Sequence, residues 1–219
     1  MSSHGSFNCR PTGLANSENV LLSFASSSIS GNITNNPGGR VLLAGNSTAT
    51  FVGNMVNDGT IYVGSGSHAV FGGDTSGSGN YPGTGLIEFI DGFSPGNSPG
   101  AVSFGGDVVL GATATTLMEL AGVTDGDYDQ LQVAGTLEVG GGLAVELLDG
   151  FVPAAETDFQ IFDAGTLSGT FRAVLLPDLP GTLGWDSSHL YSSGTLSVIP
   201  EPATLPLLAL GMLMAGRRR

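Results

Sequence analysis

The chain has 219 residues, among them 36 glycines, no lysine and few arginines. Its 19 acidic residues give a formal net charge of −13, which argues against a nucleic-acid partner, because binding to phosphates needs lysine and arginine. The single cysteine excludes an intramolecular disulfide framework, and the length suffices for one or two domains with a hydrophobic core.

Residues 1–28 form an N-terminal segment without a recognisable export signal. An exported protein should begin with a charged region followed by an apolar run, yet residues 1–19 contain only Arg10 and no apolar run. We therefore hypothesise that the true start codon lies upstream, or that the chain is a fragment of a longer surface protein. The alternative is a pseudogene product that is not exported.

Residues 29–94 contain an internal repeat. Residues 39–53 align with residues 59–73 at a period of 20, which places Val41 on Ile61, Leu43 on Val63, Ser47 on Ser67, Ala49 on Ala69 and Phe51 on Phe71. Apolar positions alternate with polar or small ones, as in strands with one buried face, and Asn-Asp-Gly at 57–59 indicates a turn. Several short strands in each unit at a fixed period predict a parallel β-helix, an all-β solenoid that needs a cap at each end.

The glycine-rich residues 72–85 are predicted to form a loop between the repeats and a second β-rich region, residues 95–198. Further strands are predicted there at 102–104, 108–110, 117–120, 130–133, 137–139, 143–148 and 159–162, with a final strand from Leu190, Leu196 and Val198. Trp185 is expected to close the core beside that strand.

The sequence of residues 95–198 resembles the C-terminal part of autotransporter passenger-like β-helix proteins. The resemblance is carried by Pro95–Gly100, Tyr128–Leu131, Gly135–Leu137, Leu147–Phe151 and Gly165–Phe171. It implies that this region continues the solenoid.

Three carboxylates form a candidate metal site. Asp125, Asp127 and Asp129 alternate around Gly126 and Tyr128, so in an extended strand they would project from one face and could share a calcium ion. The sixth-position glycine and the later bidentate glutamate of an EF-hand loop are missing. The segment is therefore either a solvated acidic turn or a calcium site, and no other cofactor is expected.

An enzyme is the alternative function class, because β-helices can act on polysaccharides. A hydrolase would need two carboxylates in a groove, for which Asp107 with Glu119 and Glu138 with Asp149 are candidates. A lyase would need a cation, supplied by Arg40 or Arg172, and sugar stacking would need an exposed aromatic ring from Trp185, Tyr191, Tyr62 or Tyr81. We expect a chain without enzymatic activity.

The C-terminal residues 199–219 combine three features in a fixed order. Pro200, Glu201 and Pro202 resist helix formation, residues 203–216 carry no charge, and Arg217, Arg218 and Arg219 close the chain. The apolar run would form a helix of about 21 Å, against roughly 30 Å of bilayer hydrocarbon. The segment therefore suits a transient, processed membrane signal better than a permanent anchor.

These three features resemble the PEP-CTERM sorting signal of Gram-negative bacteria. The resemblance implies recognition by an exosortase, a membrane protease-transpeptidase, and a destination at the cell envelope or in an extracellular matrix that contains exopolysaccharide. An ordinary tail anchor is the alternative. The sequence thus predicts an exported structural or adhesive surface protein whose repeated strand edges bind multivalently.

Overall fold

The structure is a computed structural model that describes residues 4–8, 13–23, 26–96 and 98–201. Every regular secondary-structure element within these residues is a β-strand. In chain order they are β1 (His4–Asn8), β2 (Leu14–Asn16), β3 (Asn19–Ser23), β4 (Ser26–Ser30), β5 (Ile33–Asn35), β6 (Arg40–Ala44), β7 (Thr48–Phe51), β8 (Met55–Asn57), β9 (Thr60–Val63), β10 (His68–Phe71), β11 (Thr75–Ser76), β12 (Leu86–Phe89), β13 (Gly92–Phe93), β14 (Ala101–Phe104), β15 (Asp107–Leu110), β16 (Thr115–Leu120), β17 (Gln130–Val139), β18 (Gly142–Leu147), β19 (Thr157–Gln160), β20 (Phe162–Gly169), β21 (Ala173–Leu175), β22 (Leu183–Asp186) and β23 (Thr195–Pro200).

The strands stack into three parallel sheets. Sheet A contains β1, β4, β7, β10, β12, β15, β17, β14 and β20; sheet B contains β2, β5, β8, β11, β13, β16, β18 and β21; sheet C contains β3, β6 and β9. In the first coils the chain visits sheets A, B and C in turn before it starts the next coil. This arrangement confirms the predicted all-β parallel solenoid.

The period of 20 residues is the coil-to-coil register. Val41 pairs with Ile61 and Phe51 pairs with Phe71, as the alignment predicts. Each repeated apolar residue therefore stacks on its counterpart inside the coil. The rings of Phe51, Phe71 and Phe89 form a column with centroid separations of 5.0 and 5.2 Å, so successive coils share one continuous core.

A buried ladder of asparagines joins the first coils at the end of sheet B. The side-chain amide of Asn16 donates to Asn35 Oδ1 (2.8 Å), and the amide of Asn35 donates to Asn57 Oδ1 (2.7 Å). The ladder leaves little space at the neighbouring turn, where a Cβ on Gly59 would collide with the Gly39 carbonyl and the Asn35 amide. The glycine is required there by close backbone approach.

The predicted loop at 72–85 is instead part of the solenoid. It contains β11, and Tyr81 is buried against Phe104 with ring centroids 4.6 Å apart. The loop prediction was wrong because glycines here serve close packing: a Cβ on Gly79 would collide with the Gly59 carbonyl and the Asn57 amide.

Strands in the second half follow the predicted apolar alternation, with three differences. Residues 159–162, predicted as one strand, are divided between the end of β19 and the start of β20, which belong to different sheets. Residues 130–133 and 137–139 belong to one strand, β17, whose first part pairs with β14 and whose second part pairs with β15. Leu190 lies buried in a turn before the final strand. Sheets A and B both continue across position 95, and the division of the chain into four segments stays a prediction.

Candidate functional site at the C-terminal cap

The C-terminal end of the solenoid is closed by three antiparallel strands, which we call the cap sheet. β23 lies in the middle of this sheet, between β19 and β22. Alternation along the strands turns Phe159, Leu196 and Val198 inward, where all three are fully buried. The cap sheet therefore shields the core of the last coil from water.

Trp185 on β22 fixes the cap sheet to the body. Its indole Nε1 donates a hydrogen bond to the Pro177 carbonyl oxygen at 2.9 Å, and its ring centroid lies 6.1 Å from that of Phe159. The side chain is half-buried and packs against the core. The expectation that Trp185 closes the core is confirmed.

The first two residues of the predicted signal tripeptide are held by the cap sheet. Pro200 ends β23 opposite Leu183 of β22. The backbone N–H of Glu201 donates to the Thr182 carbonyl oxygen at 2.6 Å, while the residue itself is exposed. The tripeptide thus begins on the folded cap, with no linker before it.

The rest of the predicted signal lies outside the described residues. This applies to Pro202, to the predicted hydrophobic helix, and to Arg217, Arg218 and Arg219. Among the residues that the structure describes, none forms an apolar helix of membrane-spanning length.

The three aspartates of the candidate calcium site do not lie on one face of a strand. The chain turns at Thr124–Asp127, so Asp125 and Asp127 are exposed whereas Asp129 is fully buried. Asp127 accepts a hydrogen bond from the Thr124 hydroxyl. Among the described residues, no group of three histidine, cysteine or acidic side chains is placed to hold a metal ion. Calcium binding stays a prediction, which isothermal titration with calcium chloride would test.

Asp129 fastens the turn to two neighbouring segments. Its Oδ1 accepts the Gly100 N–H (2.6 Å) and its Oδ2 accepts the Glu119 N–H (2.9 Å). Burial raises the pKa of Asp129 from its ordinary value of 3.8 to about 7, although both backbone hydrogen bonds oppose the change. Nothing in the sequence distinguishes Asp129 from the two exposed aspartates except the apolar residues that follow it in β17.

The carboxylate pairs considered for hydrolysis are divided between two sheets. Asp107 begins β15 in sheet A and accepts the Thr136 N–H at 2.8 Å, whereas Glu119 lies on β16 in sheet B. Glu138 is exposed on β17 in sheet A, and Asp149 lies in the turn after β18 of sheet B.

The candidate sugar-stacking rings differ in exposure. Tyr81 is buried in the core and cannot contact a ligand. The indole of Trp185 is hydrogen-bonded to the Pro177 carbonyl oxygen. Tyr62 and Tyr191 are 41% and 38% exposed. Arg40 and Arg172 are both exposed, and Arg40 lies in the same concave surface as Tyr62.

Comparison with known proteins identifies the C-terminal segment alone. Residues 198–219 match the PEP-CTERM protein-sorting motif. No curated protein and no solved structure matches the chain, so the autotransporter resemblance of the body has no support from this source. The motif implies an exported chain that associates with the membrane through its C-terminus before an exosortase processes it.

Proposed function

The chain carries the PEP-CTERM protein-sorting motif, and from this premise we propose that it is a structural or adhesive protein of the cell envelope or extracellular matrix. The exosortase removes the C-terminal segment, and the solenoid then contacts exopolysaccharide. The observation that carries the proposal is the position of the motif, which begins directly on the cap of a regular solenoid.

The architecture supports a role in adhesion. A solenoid presents equivalent outward positions on successive coils, about 4.8 Å apart, so one weak contact can recur along the molecule. Several weak contacts on a rigid body bind a polymer much more tightly than one of them alone. We propose that the chain acts through such repetition and has no enzymatic activity; the separation of the candidate carboxylate pairs between sheets supports this.

Expression with a native-type signal peptide in a host with and without an exosortase tests the sorting step. Mass spectrometry of the C-terminus in each cell fraction should show loss of the arginine tail only when the enzyme is present. Replacing Pro200 and Glu201 with alanine should block the loss, whereas Glu146→Gln, at an exposed glutamate of sheet B, should leave it unchanged. An intact, membrane-embedded tail in both hosts would instead make the chain an ordinary tail-anchored protein.

Fractionation of the same cultures tests the destination. The processed form should appear in the envelope or matrix fraction and should leave with exopolysaccharide when the matrix is extracted. A processed form that appears only as free protein in the medium would contradict a structural or adhesive role.

A further inference from the structure

One side of the solenoid carries two straight rows of outward side chains, and we call this surface the groove face. It is formed by β3, β6 and β9, by the bridge residues Asn80 and Tyr81, and by β14 with the paired part of β17. The first row is polar and contains Asn19, Arg40, Thr60, Asn80, Ser103 and Gln132. The second row, beside it, begins with Leu21, Leu42, Tyr62 and Pro82.

Over the four coils from Asn19 to Pro82 the two rows enclose a shallow groove along the solenoid axis, and the polar row continues beyond them. Leu21, Leu42, Tyr62 and Pro82 line a concavity of about 440 Å³. A second concavity, of about 550 Å³, lies further along the same face beside Ser103 and Gln132. Six stacked coils at about 4.8 Å each give the polar row a length of roughly 24 Å, so the groove fits an extended molecule.

The polar row has hydrogen-bonding groups to spare. In the described part of the chain, the side chains of Asn19, Arg40, Thr60 and Asn80 have no hydrogen-bond or ion-pair partner. Ser103 donates its hydroxyl to Gln132 Oε1 at 3.0 Å, which leaves the Gln132 amide protons free. Amides, hydroxyls and one guanidinium therefore face the groove together.

An extended peptide is a poor occupant of this groove. A peptide that binds a sheet as an added strand needs unpaired backbone N–H and C=O groups at a sheet edge. In the middle of the groove face those groups already pair with the neighbouring coils, as between Leu42 and its partners Leu21 and Tyr62. A ligand must be recognised through side chains alone.

Charge excludes further classes of ligand. Arg40 is the only cation among the described residues of the two rows, and Glu18 and Asp163 lie at opposite ends of the groove. The groove is thus close to neutral on a chain with a net charge of −13, which repels polyanions from the surroundings. The favoured ligand is uncharged, rich in hydroxyl groups and flat on one side.

We propose that the groove face binds an extended, uncharged, β-linked polysaccharide that lies along the solenoid axis. Its sugar rings stack on Tyr62 and on the adjoining leucines, and its hydroxyls bond to the polar row. Straight β-linked chains match straight rows, whereas α-linked chains coil away from them. This inference rests on the proposed adhesive function and assigns the surface that carries it.

Calorimetric titration of the full chain in detergent, with cellohexaose and β-1,4-mannohexaose as probes, tests the proposal. At least one of the two should bind, and maltohexaose should bind more weakly. Tyr62→Ala should weaken binding by roughly three- to tenfold, the value of one aromatic contact, and Tyr62→Phe should retain it. Tyr191→Ala is the matched control, since this tyrosine is similarly exposed but lies in the turn between β22 and β23. Circular dichroism checks that each variant is folded.

Three results would overturn the proposal. The first is that neither β-linked hexaose binds, and the second is that folded Tyr62→Ala binds as the parent does. The third is a dimer, measured by light scattering, that Leu42→Ser dissociates, because a second copy would then occupy the groove. Binding needs no exosortase, so a chain that binds glycan but keeps its tail would contradict only the sorting proposal.

Discussion

Asp129 places a carboxyl group where water does not reach it, and two backbone N–H groups depend on it. Asp129→Ala should lower the free energy of unfolding by about 1–3 kcal/mol, because it leaves the Gly100 and Glu119 amides without an acceptor. Urea unfolding at pH 5 measures the change. The control is Asp125→Ala, at an exposed position of the same turn; equal effects of the two changes would show that the buried contacts contribute nothing.

The same residue makes stability depend on pH. Because the pKa of Asp129 is about 7 in the folded chain and near 3.8 when exposed, the folded state holds the proton more tightly than the unfolded state. The contribution of Asp129 to the free energy of unfolding therefore decreases as the pH rises from about 4 to about 7, and it is constant above that range. Unfolding measured from pH 4.5 to 8 should show this decrease, and Asp129→Asn, which cannot ionise, should remove it. An unchanged slope in that variant would assign the effect to other groups.

At the scale of the element, the asparagine ladder joins successive coils through buried side-chain hydrogen bonds. Asn35→Ala should destabilise the chain by about 2 kcal/mol, since the Asn16 amide and the Asn57 carbonyl oxygen would both lose a partner in a buried site. Chemical denaturation measures this cost. Asn36→Ala is the neighbouring control, because its amide bonds to the Ser17 hydroxyl in an exposed position and its loss should cost much less. Similar costs would contradict the ladder's role.

Strands with regular apolar alternation could be predicted from the sequence. The glycine-rich part of the solenoid could not. The pairing of Val41 with Ile61 could be predicted because both the spacing and the side-chain type repeat. Residues 72–85 offer no such repeat: Tyr81 is one large apolar residue among glycines, whose packing role becomes visible only beside the preceding coil. The burial of Asp129 was missed for a related reason: both interpretations of the segment left its side chain accessible, and its partners Gly100 and Glu119 come from other segments of the chain.

The groove face shows the same limit for candidate sites. Its members are ordinary outward residues of separate strands, and Arg40 and Tyr62 become neighbours only through the register of β6 and β9. The C-terminal signal, by contrast, is contiguous in sequence and was identified from its three features. Contiguous signals can be predicted from one chain, whereas surfaces assembled across coils require the stacking order.

At the scale of the whole molecule, the cap sheet includes the first residues of the sorting motif, 198–201. The Glu201 amide proton should exchange with solvent far more slowly than in the isolated peptide of the same sequence, because it is bonded to the Thr182 carbonyl oxygen. Amide exchange followed by nuclear magnetic resonance gives the rate. Added denaturant should speed this exchange together with that of the cap sheet, and exchange at the peptide rate would show that the motif is detached from the fold.

This attachment also sets a distance. Pro202 alone separates Glu201 from residue 203, where the apolar run begins, and an extended residue spans at most about 3.6 Å. The folded body therefore stands within roughly 10 Å of the start of the apolar run. A protease that reads the tripeptide there meets a bulky, rigid neighbour on its amino-terminal side. Such a protease must either accommodate the folded cap sheet beside its site or act after β23 has detached from β22.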